Sequence, residues 1–253
     1  MTIHTLKHAA LTALAAALLA PAANAALSYS TDDLFLGFRQ PANATTDYLI
    51  NIGQASTFRD ATSTLTLSLP GLAGDLTTAF GANWASTVTW GVVGTTQNTA
   101  AAAPDNLTRL LYSSEPVGTT PTASSSQSGP ANSIISMKSY WQGLTASQGT
   151  VANSAFEDPN NAGSWTARVS TSFGSPGVLN TIESAVNSNL DLFRIPQTTS
   201  LQPVTNEGFF SLDTGAGTVS FNDSAVPEPS TLLFGCALVG ALGLNRRRVA
   251  SAA

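Results

Sequence analysis

The chain has 253 residues, of which only 10% are charged, and a formal net charge of −5. Without the charges of its two ends (Lys7, Glu228, Arg246, Arg247 and Arg248), six cations and fourteen acids remain, a balance of −8; this argues against binding nucleic acid or anionic lipid surfaces. The same central region holds no histidine and no cysteine, which removes Ser-His-Asp and Cys-His nucleophiles, haem ligation and the usual zinc sites.

Near the N-terminus, Lys7 precedes an Ala/Leu run from Ala9 to Ala20, interrupted only by Thr12. Pro21 breaks it, and Ala23-Asn24-Ala25 places small residues at both positions read by a signal peptidase. The run is too short for a span of roughly 20 residues. Residues 1–25 are therefore expected to be a secretory signal peptide, cleaved after Ala25, and residues 26–225 one exported globular domain. That domain has no disulfide although its compartment would permit one, so packing alone must hold it.

Within the domain, Asp33 to Arg39 is a continuous apolar run that predicts a buried strand. Asp47 to Gly53 predicts a second, with Tyr48, Ile50 and Ile52 on one face and Leu49 and Asn51 on the other. The short connection between them predicts an antiparallel hairpin. Leu65 to Leu69 alternates as a strand does, and Leu72, Leu76, Ala79 and Phe80 have helical spacing stopped by Gly81. Thr87 to Gly94 is β-branched and aromatic, a strand with Leu107 to Tyr112 as its expected neighbour. The Ser/Thr/Pro/Gly-rich stretch 113–130 reads as a surface loop. Ile134, Met137, Trp141 and Leu144 predict an amphipathic helix, and residues 161–173 a short extended piece.

Val178 to Phe193 gives the strongest helical periodicity, through Leu179, Ile182, Val186, Leu190 and Phe193, with Pro176-Gly177 before it and Pro196 after. The domain closes on a hairpin, Gly208–Asp213 and Thr218–Phe221, around a Gly-rich turn. About seven strands and three helices predict an α+β domain with a mainly antiparallel sheet.

The tail has three parts: Pro227-Glu228-Pro229, an apolar run from Thr231 to Leu244, and Arg246-Arg247-Arg248. The prolines fix φ and present Glu228 in extended backbone. Leu232, Leu233, Phe234, Leu238, Val239, Leu242 and Leu244 make the run apolar on every face, and Cys236 fits there as a small apolar residue. At about 1.5 Å per residue it covers roughly 21 Å of a core near 30 Å, a mismatch met by extending the helix and letting the arginines snorkel. The arginines resist translocation and are expected to stay cytoplasmic.

This order resembles the PEP-CTERM sorting signal of Gram-negative bacteria: Pro227, Glu228 and Pro229 match its motif, Leu232 to Leu244 its transmembrane helix, and Arg246 to Arg248 its basic end. The segments Leu34–Arg39 and Tyr48–Gly53 also resemble the opening of one recurring group of PEP-CTERM proteins. The resemblance implies processing by exosortase, a membrane-embedded cysteine transpeptidase-like enzyme. It also implies association with extracellular polysaccharide or biofilm matrix. The partners expected are thus signal peptidase, an exosortase-type enzyme, the membrane before processing, and polysaccharide, but no nucleic acid.

No catalytic residue, metal or cofactor stands out, and the chain is expected not to be an enzyme. Lys138 is the one lysine between the ends, and with Ser136 and Ser139 it is expected to be a surface residue. Asp32-Asp33 reads as a solvated start to the domain, and Glu157-Asp158-Pro159-Asn160-Asn161 as a polar turn with a weaker case for calcium. Three Asn-x-Ser/Thr triplets, at Asn43, Asn106 and Asn222, are expected by chance in so Thr-rich a chain. Two alternatives remain open. One is a glycan hydrolase or lyase with two carboxylates in a groove lined by Trp84, Trp90, Trp141 or Trp165. The other is a carbohydrate-binding module with those tryptophans exposed in a row.

Overall fold

The computed structural model describes residues 27–42, 45–96, 105–123, 127–144, 149–169 and 182–223. The central hairpin forms as the short connection predicts: β1 (Asp33–Arg39) pairs antiparallel with β2 (Asp47–Gln54). The other strands are β3 (Leu65–Ser68), β4 (Thr89–Thr95), β5 (Leu111–Pro116), β6 (Ser154–Glu157), β7 (Glu183–Ala185), β8 (Leu190–Ile195), β9 (Thr205–Asp213) and β10 (Thr218–Asn222). They join one antiparallel sheet in the order β3-β10-β9-β8-β5-β4-β1-β2-β6, with β7 also on β4. The sheet curls into a half-barrel.

Both faces of the sheet are covered, which is why β1 is apolar without interruption. One face carries Leu34, Leu36, Phe38, Tyr48, Ile50, Trp90, Tyr112, Leu192, Phe210 and Phe221. Against it pack α1 (Ala55–Arg59), α2 (Leu72–Phe80) and α3 (Trp84–Thr87). Phe58 of α1 meets the cross-strand pair Phe210 and Phe221 at centroid distances of 5.3 and 5.4 Å. The opposite face carries Phe35, Leu49, Val93, Leu111, Phe193 and Ile195, covered by α4 (Ser128–Gly143) and α5 (Trp165–Arg168). Burial of this kind contributes roughly 1.5–3 kcal/mol for each large apolar side chain.

Four expectations are overturned. Residues 182–193 are not helical: Ile182 precedes β7, a turn follows, and Leu190 to Ile195 form β8. The three- and four-residue spacing arises because β8 is buried on both sides. Leu190 and Leu192 enter one core, Phe193 and Ile195 the other, so two interleaved strand faces imitate one helical stripe. The extended piece expected over 161–173 is helical at Trp165–Arg168, where Ser164 Oγ accepts the Ala167 amide as an N-cap.

The loop expected over 113–130 contains most of β5 and the first turn of α4, where Pro130 needs no intrahelical donor. Ser113 and Ser114 in it are interior. The outer edge of β4 is shared, β5 pairing with residues 93–95 and β7 with 89–91, which strands the Val92 amide at the changeover. Ser114 Oγ accepts that amide at 2.7 Å and donates to the Ile182 carbonyl at 2.6 Å. Finally, Asp32 and Asp33 are buried, not solvated, at 1% and 6% exposure.

Candidate functional site

At the end of the sheet where β1 begins, Asp105 gathers donors from three elements. Arg59 Nη1 of α1 donates to Oδ1 at 2.7 Å, Arg194 Nε of β8 to the same oxygen at 2.9 Å, and the Tyr112 hydroxyl of β5 to Oδ2 at 2.7 Å. Arg59 also holds Asp60, and Arg194 reaches Gln202. Asp32 lies by this hub with φ 71°, a left-handed backbone unusual for aspartate, and neither carboxylate oxygen has a hydrogen-bond partner among the described residues. Burial, then the charges of Asp105 and Asp33, push its carboxyl up to about 7 despite Arg59. Asp33 is satisfied by the Ser30 amide and the side-chain amides of Asn51 and Gln54.

At the opposite end, Arg39 grips Glu183 through Nε and Nη2, at 2.8 and 2.5 Å to Oε2. Glu183 Oε1 also accepts the Trp165 indole N–H at 2.8 Å. The Trp165 ring lies over two cross-strand glycines, Gly37 and Gly91, where a Cβ at Gly37 would overlap the ring. Asp47 and Glu157 stand directly opposite each other on β2 and β6 and both point at the start of α5. Asp47 accepts the Thr166 amide and hydroxyl at 2.7 and 2.6 Å, and Glu157 Oε2 accepts the Trp165 amide at 3.3 Å. Glu157 Oε1 is buried without a hydrogen-bond partner among the described residues. Burial pushes Asp47 up to about 6, although Thr166 and Arg39 work against it. Burial and then the charge of Asp47 push Glu157 well above the usual carboxylate range.

Another buried acid, Asp75 of α2, accepts the Tyr48 hydroxyl at 2.6 Å and the Thr150 and Val151 amides. Burial alone would raise its carboxyl, but these donors hold it below its usual value. Gly149 is required there: a Cβ would lie 2.5–2.6 Å from Tyr48 Oη, Asp75 Oδ2 and Ser154 Oγ.

The residues singled out in sequence are distributed differently. The sorting motif Pro227-Glu228-Pro229, the apolar run, Arg246 to Arg248 and the cleavage residues Ala23 and Ala25 lie outside the described residues. All four tryptophans are buried, Trp84 at 7% exposure and the others at 0%, so they build neither a groove lining nor an exposed row. In the 157–161 turn, Asp158 Oδ1 accepts both nitrogens of Asn160 and Asn161 Oδ1 accepts the Gly163 amide, so these side chains are engaged within the turn. No group of three or more His, Cys, Asp or Glu among the described residues is arranged to hold a metal. Lys138 sits over the Tyr29 ring at 4.4 Å, which stacks in turn on Phe35. Ser136 and Ser139 bond carbonyls of their own helix.

Asp32, Asp33, Asp47, Asp75, Glu115, Glu157 and Glu183, half of the fourteen central acids, are buried. The surface is therefore much less acidic than the composition implies. Chemically, the enclosed clusters can hold protons and fix backbone. The one signal for them in the sequence was the polar residue at a strand end, as at Asp33, Arg39, Asp47 and Glu157. Among the described residues no helix is long and apolar enough to cross a membrane. Comparison with protein-family models, curated proteins and solved structures finds no match to this chain.

Proposed function

We propose that the chain is an exported, non-enzymatic protein of the cell envelope or extracellular matrix, sorted through its C-terminal tail and processed by an exosortase-type enzyme. The observation that carries this reading is the order of the tail: Pro227-Glu228-Pro229, then an all-round apolar run, then Arg246-Arg247-Arg248. Each part has its own physical task. The prolines hold Glu228 in extended backbone, the run enters lipid, and the arginines stop transfer.

Where the domain ends supports this. Strand β10 stops at Asn222, four residues before Val226, and is hydrogen-bonded to β9 on one side and β3 on the other. A tag leaving from there would have a rigid base. The non-enzymatic part is supported by the enclosure of the carboxylate clusters, which are buried away from solvent. Association with extracellular polysaccharide is what the PEP-CTERM resemblance implies.

The test is to express the chain with and without residues 226–253 and compare membrane, surface and medium fractions. The full chain is expected in the membrane and then, once trimmed, at the surface, while the truncated chain goes to the medium. Identical distributions of the two forms would refute the reading.

A further inference from the structure

We propose that Asp47 and Glu157 form a protonation latch: while the pair holds at least one proton, α5 and the turn before it stay clamped to the β2–β6 edge, and loss of the last proton loosens them. This is independent of the sorting proposal.

The register sets up the conflict. Asp47 and Glu157 are direct cross-strand partners, a position where like charges repel. Both are buried, at 0% and 2% exposure, so water does not screen them. The neighbouring charges do not resolve the conflict. Arg39 on β1 favours the ionised Asp47 but is engaged by Glu183 on β7, which adds negative charge of its own. Among the described residues, Arg168, at the end of α5, leaves its buried Nε without a hydrogen-bond partner and forms no ion pair with either acid. From α4, Tyr140 faces the acids Asp47, Glu157 and Asp158. The proton belongs on Glu157. Asp47 has two donors on Thr166, whereas Glu157 has one long bond to the Trp165 amide and a buried oxygen with no partner.

Besides the Ser164 N-cap and the indole bond of Trp165 to Glu183, helix α5 is held at its root by the two acids, which accept its first amides. Among the described residues, strand β6 pairs only with β2. When both acids ionise, the repulsion acts across the last ladder of the sheet and at the root of α5. The Trp165 ring, seated on Gly37 and Gly91, limits the motion to the edge.

The test is amide hydrogen exchange on the full chain in detergent micelles at pH 5 and pH 8, corrected for the intrinsic pH dependence of exchange. Protection of the Trp165 and Thr166 amides and of β6 is expected to fall tenfold or more at pH 8, with β4 and β9 unchanged. Glu157→Gln, which mimics the protonated acid, is expected to keep the pH 5 protection at pH 8. Should this variant fail to fold, Asp47→Asn removes the opposing charge and is expected to flatten the profile in the same way. A wild-type profile that does not change with pH overturns the latch. So does a folded variant that retains the wild-type change, or a Glu157 carboxyl that titrates in the ordinary carboxylate range by NMR.

Discussion

Gly37 shows how a single residue connects the sequence to the interior. Its neighbours in the Leu34–Arg39 run alternate between two cores, and on one face the glycine leaves the space filled by the Trp165 ring. Gly91, its partner on β4, completes the platform, and a Cβ there would stand 2.7 Å from the Ile182 carbonyl oxygen. Gly37→Ala is therefore expected to destabilise the domain by about 1–3 kcal/mol through overpacking, lowering the urea midpoint without changing the slope. The cause is contact, because Gly37 does not have the positive φ found at Gly71 or Gly208. The glycine was visible in the sequence inside an apolar strand. Its reason was not, since Trp165 is more than a hundred residues away.

Among the elements, β4 carries the greatest burden of satisfaction. It pairs with β1 along one edge and divides the other between β5 and β7. The Val92 amide at the changeover depends on Ser114, a residue whose surroundings in sequence suggest a loop. Ser114→Ala would leave a buried amide and the Ile182 carbonyl without that partner. The expected cost is about 1–3 kcal/mol, with faster exchange of the Val92 amide as the local readout. Strand β8 illustrates the opposite error. Its apolar residues are as legible as any in the chain, but a strand buried on both faces satisfies helical spacing by coincidence. The Asn187-Ser188-Asn189 turn between β7 and β8 was the available signal.

For the whole molecule, the interior charge sets how stability varies with pH. Asp32 is raised from 3.8 to about 7 and Asp47 from 3.8 to about 6. An acid that binds its proton more tightly when folded contributes stability below its unfolded pKa and loses it as pH rises through the folded one. These two sites therefore destabilise the fold progressively between about pH 4 and pH 7. Asp75, held low by its donors, acts in the opposite sense: its contribution is present at neutral pH and is lost in acid. Asp32→Asn is expected to stabilise the full chain at pH 8 by on the order of 2–3 kcal/mol and to change little at pH 4, read from urea midpoints at the two values. The amino-acid order alone determined the central and closing hairpins, the helix stopped at Gly81, and the tripartite tail on which the sorting proposal rests. Those features depend on neighbours within one element or one turn. Which acids would be interior, that the tryptophans would be covered, and that residues 183–195 would be strands were decided by the tertiary structure. The physical reason is that burial of a polar group depends on donors delivered by distant strands. Asp105 is set by Arg59 and Arg194, and Asp47 by Thr166, through contacts that no local pattern encodes.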